Sequence, residues 1–90
     1  FVFRAPNPNP FVGPIRLAFA VPRDGRLEIR ISDVAGRLVF FRGTSVAAGA
    51  CRMTLDGSDQ LGRKLAAGIY FLRAGFEKQS VTRKVILVRD

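Results

Sequence analysis

The stretch Ile15-Arg16-Leu17-Ala18-Phe19-Ala20-Val21-Pro22-Arg23-Asp24-Gly25-Arg26-Leu27-Glu28-Ile29-Arg30-Ile31-Ser32 decides the fold class. Apolar side chains recur at every second position, first Ile15, Leu17, Phe19 and Val21, then Leu27, Ile29 and Ile31. Arg16, Ala18 and Ala20, then Glu28, Arg30 and Ser32, fill the alternate positions. A period of two puts one face of a β-strand in a core and the other in water. Between the two runs, Pro22-Arg23-Asp24-Gly25 is a turn, because proline presets φ and Asp-Gly accepts a positive one.

The same rhythm continues in both directions. Phe1 to Phe3 is strand-like, and Pro6, Pro8 and Pro10 alternate with Asn7 and Asn9, so residues 1–12 form an extended strand or arm confined to a sheet edge. Asp33-Val34-Ala35-Gly36 turns the chain into residues 37–42, whose centre, Leu38 to Phe41, is apolar on both faces. Ala48-Gly49 closes a loop before Cys51, Met53 and Leu55, which point inward, with Arg52 and Thr54 outward. Residues 56–68 form the longest loop. A strand over 69–74, a turn over 75–79 and a last strand over 80–89 complete the chain. No window carries helical periodicity. The expectation is one all-β domain over residues 1–90, an immunoglobulin-like (fibronectin III-like) β-sandwich of about seven antiparallel strands. Tyr70 stands two residues before an inward Leu72 and shortly after Gly68, the position of a tyrosine corner, so its hydroxyl is expected to find a backbone carbonyl.

Composition removes whole classes of chemistry. The 90 residues include no His, no Trp and one Cys, which excludes an intrachain disulfide, a Cys/His zinc site and any His-based triad. No apolar run reaches the roughly 18 residues of a membrane-spanning helix. No catalytic residue and no cofactor is expected. Asp56 and Asp59 in a Gly-rich loop raise the question of calcium, but two carboxylates are few, and Asx-turns account for them better. The net charge is +8. Nucleic acid is not expected as the partner, since no basic strand face interleaved with aromatics is present and Arg16, Arg30 and Arg52 fall on different strands. Acidic polysaccharide is the alternative polyanion. A chain that starts at Phe1 is expected to have lost a leader or to be an excised piece.

Several segments, in order, carry a resemblance. Pro8-Asn9-Pro10-Phe11, Asp33-Val34-Ala35-Gly36-Arg37-Leu38-Val39, Ala48-Gly49, Asp56-Gly57-Ser58-Asp59-Gln60-Leu61-Gly62-Arg63, Ala67-Gly68-Ile69-Tyr70 and Arg83-Lys84-Val85-Ile86-Leu87 resemble the Ig-like domain of flagellar hook-capping proteins. They resemble equally the related C-terminal sorting domains of type IX secretion. The resemblance implies a non-catalytic, exported domain at the cell surface. It also implies a sorting signal in the last strand, at Arg83, Lys84 and Arg89, read by the export machinery, and release or attachment of the cargo at surface lipopolysaccharide.

The residues themselves point to a second role. Leu38 to Phe41, Ile69 to Leu72 and Val85 to Val88 are apolar on both faces, yet a two-sheet sandwich hides one face of each sheet. Some of Val39, Phe41, Ile69, Phe71, Ile86 and Val88 should therefore point outward, as a patch for protein contact. Phe1, Val2 and Phe3 either pair within their own sandwich or add a strand to a neighbouring copy's edge, which would build an oligomer or filament. The candidate assembly residues are thus Phe1, Val2, Phe3, Phe41, Phe71, Ile86 and Val88.

Overall fold

A computed structural model describes residues 1–4, 11–12 and 14–88. Among these lie eight strands: β1 (Val2–Arg4), β2 (Phe11–Val12), β3 (Ile15–Val21), β4 (Gly25–Asp33), β5 (Leu38–Val46), β6 (Gly49–Leu55), β7 (Gly68–Phe76) and β8 (Gln79–Val88). They form two sheets, ordered β1-β3-β6 and β2-β8-β7-β4-β5. Seven strands pair antiparallel, while the two-residue β2 runs parallel to β8. The opening of the chain thus serves both sheets, first β3 and then β8. This is the sandwich expected from the alternation.

The alternating rows become the core. Leu17, Phe19 and Val21 of the smaller sheet face Leu27, Ile29, Ile31, Leu72, Ala74 and Phe76 of the larger, all buried. Such burial contributes about 25 cal/mol per Å² of apolar surface. Phe3 stacks on Phe19 with ring centroids 5.1 Å apart. Phe1 lies against Phe19 and Phe76, at 6.4 and 6.0 Å.

The structure moves several boundaries. β5 continues to Val46 instead of stopping at Arg42, because its ladder with β4 runs to Gly25↔Val46. The β7–β8 ladder runs from Gly68↔Leu87 to Phe76↔Gln79, so the turn between them shrinks to Glu77 and Lys78. Gly75, which has the look of a turn residue, sits inside the ladder opposite Ser80. Glu77 takes a positive φ of 55°, and its carboxylate is held by the Arg23 guanidinium, with Nε donating to Oε1 at 3.1 Å. The Pro22–Gly25 turn carries the chain from one sheet to the other.

Two five-residue turns share one construction, Asp33-Val34-Ala35-Gly36-Arg37 and Asp59-Gln60-Leu61-Gly62-Arg63. In each, the Asp Oδ1 accepts the amides two and four residues on, at 2.9–3.0 Å. The Arg guanidinium Nε lies 3.1 and 3.3 Å from Oδ2. The Asp amide donates to the Arg carbonyl, at 3.0 and 2.7 Å, and the fourth position takes φ near +85° and +82°, which glycine alone adopts without a Cβ penalty. The amide of Arg37 holds Asp33 below its ordinary 3.8, against some desolvation, with help from the Ala35 amide and the Arg37 charge. The amide of Arg63 does the same for Asp59, joined by the Leu61 amide and the Arg63 charge. Asp56 Oδ1 accepts the Ser58 amide at 3.0 Å. These carboxylates serve loop amides, as the Asx-turn reading holds.

The second turn docks the long loop. The Gln60 amide donates to the Val39 carbonyl at 3.2 Å, and Gln60 Oε1 accepts the Phe41 amide at 2.8 Å. Loop 56–67 therefore covers part of the β5 edge, and buried Leu65 anchors it to the core. At the loop's exit, the Tyr70 hydroxyl donates to the Ala66 carbonyl at 2.7 Å, so the tyrosine corner is formed.

Two measurements follow. Tyr70→Phe should lower unfolding free energy by about 1 kcal/mol in urea titration, and Leu72→Ala by about 2–5 kcal/mol. The lowered Asp33 and Asp59 pKa values add stability above about pH 3.8 that is lost as pH falls through the depressed values. Carboxyl NMR titration should place both midpoints below 3.8, and the Asp33→Asn/Asp59→Asn variant should lose less stability on acidification than the parent.

Candidate interaction surfaces

Register decides which residues share the outer face of the five-stranded sheet. Ile69 stands opposite Ile86; one row along come Lys84, Phe71, Ser32 and Leu38; the next row holds Thr82, Arg73, Arg30 and Phe41. Leu38, Ile69 and Phe71 are 48%, 38% and 40% exposed. Ile86, Val88 and Phe41 are half-buried, and the Arg30 guanidinium covers the Phe41 ring at 4.9 Å. An apolar band thus runs beside a row of cations. Val39 departs from the outward expectation. The ladder shifts register between Ile31 and Ser32, and Val39 packs against the core.

The N-terminal residues take the first of the two expected placements in this chain, pairing within their own sandwich. β1 pairs with β3 of its own sheet, Val2↔Ala20 through Arg4↔Ala18. Phe3 is 5% exposed, Phe1 is half-buried against the core, and only Val2 projects to solvent. Within this chain, Phe1 and Phe3 pack on the core while β1 pairs with β3. The cause is the row of aromatic rings already present at Phe19 and Phe76.

The last strand carries Arg83 and Lys84 on opposite faces. Lys84 stands beside Phe71 on the outer face. Arg83 occupies the inner register opposite Leu72, yet is exposed, because a three-stranded sheet does not cover all of a five-stranded one. Its Nη1 donates to the Thr82 carbonyl at 3.2 Å. Among the described residues, β2 lies along β8 at Leu87 and Val88. On that side, residues 79–83 have no strand beside them among the described residues. Arg89 lies outside the described residues.

Register also assembles a group that the chain order hides. The outer face of the three-stranded sheet holds Val2 and Arg4, then Arg16, Ala18 and Ala20, then Ala50, Arg52 and Thr54. Arg16 and Arg52, read from the sequence as scattered, share this face with Arg4. The alternation marks each as outward, but no local signal aligns three strands separated by loops.

The fold agrees with what comparison with known proteins shows. The family described as the secretion system C-terminal sorting domain matches residues 7–88, and the chain belongs to it. Membership marks an exported, cell-surface domain of type IX secretion. Dimeric latent PorU from Porphyromonas gingivalis contains a similar fold, with TM-score 0.81 and 22% identity over 99% of this chain and 9% of that one. FlgD from Xanthomonas campestris, described in terms of flagellar hook capping, has TM-score 0.65 and 24% identity over 93% of this chain and 60% of that one. PorZ of P. gingivalis, a surface component of the type IX secretion system, has TM-score 0.62 and 19% identity over 97% of this chain and 11% of that one. These likenesses establish the fold. The chain spans about one-tenth of the length of PorU and of PorZ. No curated protein matches it.

Core and surface phenylalanines should separate cleanly in urea titration. Phe3→Ala should cost about 3 kcal/mol, whereas Phe71→Thr, which keeps strand propensity at an exposed position, should stay within about 0.5 kcal/mol.

Proposed function

We propose that the domain is a sorting signal of type IX secretion, recognised by the export apparatus through β8 and the outer face beside it. The family match carries this reading, since it runs through the whole of β8 to Val88. Among the described residues no strand lies beside 79–83 on the β2 side, and this supports the reading, because an unpaired edge offers main-chain hydrogen bonds to an added strand. Arg83 and Lys84 give that edge a charge signature on both faces. The domain itself does no chemistry in this account; it is the part of an exported protein that is read.

A second reading rests on the apolar band of Leu38, Ile69 and Phe71, whose exposure suits contact with protein. Copies would associate through the outer face of the larger sheet, as an isologous pair or as an open filament. This reading rests on the outer face and not on the leading strand, which pairs with β3 in this chain.

A reporter fused ahead of the domain in a type IX-competent bacterium separates the two. Under the sorting reading, Arg83→Glu/Lys84→Glu should cut the exported reporter at least tenfold, with the protein retained in the cell. Arg16→Glu/Arg52→Glu, on the far sheet, should leave export unchanged. Phe71→Glu that abolishes self-association in light scattering while export persists would establish the assembly role as separate. Undiminished export of the β8 variant would contradict the sorting reading.

A further inference from the structure

We infer that the outer face of the three-stranded sheet is a docking plane for the phosphate headgroups of an anionic lipid surface. The inference goes beyond the sorting role and does not depend on it. Arg4 and Arg52 flank Ala18 in a single row across β1, β3 and β6, and Arg16 stands one row along. Strand spacing puts the first two backbones about 9.6 Å apart, and Arg16 lies about 7 Å along β3 from Ala18. No acidic residue occupies any register position of this face among the described residues, and all three arginines are exposed. Elsewhere Arg23, Arg26, Arg37 and Arg63 each have a carboxylate partner. A uniformly cationic plane in a chain of net charge +8 needs an anionic counterpart.

The rest of the face selects the kind of anion. Its floor is Ala18, Ala20 and Ala50, so among the described residues at its register positions only the arginines, Thr54 and Val2 carry larger side chains. A protein interface would need a large central anchor in a pocket, and this face has neither. Nucleobases and sugar rings stack on aromatic side chains, and among the described residues no aromatic side chain occupies a register position of this face. A flat array of planar guanidinium forks matches a flat array of phosphates, each fork able to take two oxygens. An exported domain meets such an array at a membrane surface.

Sedimentation of the 90-residue chain with vesicles of phosphatidylcholine alone, or with about one-third phosphatidylglycerol, tests this. Binding should require the anionic lipid and fall steeply with salt. Each cation near such a surface is worth about a fivefold change, so Arg4→Gln/Arg16→Gln/Arg52→Gln should weaken binding about 100-fold. Arg30→Gln/Arg73→Gln/Lys84→Gln, which removes equal charge from the opposite face, should weaken it less than fivefold. Replacing the first three arginines by lysine should restore most of the binding, and urea titration should find all variants folded. Equal losses from both triple-glutamine variants would overturn the inference, as would no binding to anionic vesicles. Binding to chondroitin sulfate or duplex DNA at concentrations where vesicles do not bind would overturn it as well.

Discussion

Everything in this domain depends on the contact between two rows of alternating apolar side chains. Leu17, Phe19 and Val21 close on Leu27, Ile29, Ile31, Leu72 and Phe76, and no disulfide or tryptophan reinforces them. A chain of this size hides only about 60–65% of the surface it exposes when unfolded. The core therefore has little reserve, which explains the use made of Phe1 and Phe3. They extend the aromatic row over Phe19 and Phe76 and convert what would be a loose terminus into part of the wall. The loop of residues 56–67 does similar work from the other side, with Leu65 in the core and Gln60 along the β5 edge.

The unequal width of the sheets divides the remaining surface into two kinds. Three strands cannot cover five, so Arg83 escapes to solvent from an inward register. The outer face of the larger sheet combines apolar and cationic residues, and that of the smaller one is arginine on alanine. The core that holds the sandwich together is thus distinct from the faces that distinguish it. A family of shared fold can change either face without disturbing the interior.

Much of this was legible in the chain because the signals are local. Strict alternation from Ile15 to Ile31 reports strands, and Asp33 and Asp59 with a glycine three residues on report their turns. Tyr70 ahead of Leu72 reports its corner. What stayed hidden depends on long-range register. Pro22 to Gly25 has the chemistry of a turn, yet nothing in those four residues says that the strands on either side belong to different sheets. Gly75 reads as punctuation but sits opposite Ser80 inside a ladder. Arg4, Arg16 and Arg52 meet only because β1 and β6 both align on β3. The apolar Phe1 to Phe3 segment is equally fit to enter its own sheet or another's, and composition cannot choose between them.

That last ambiguity bears on the central claim, that one chain closes its own core. Amide hydrogen exchange of β1 and β3, followed by NMR from high to very low protein concentration, addresses it most directly. The account predicts protection of both strands that is independent of concentration, as an intramolecular ladder requires. Loss of β1 protection on dilution, with β3 still protected by β6, would mean that the strand is borrowed from another copy.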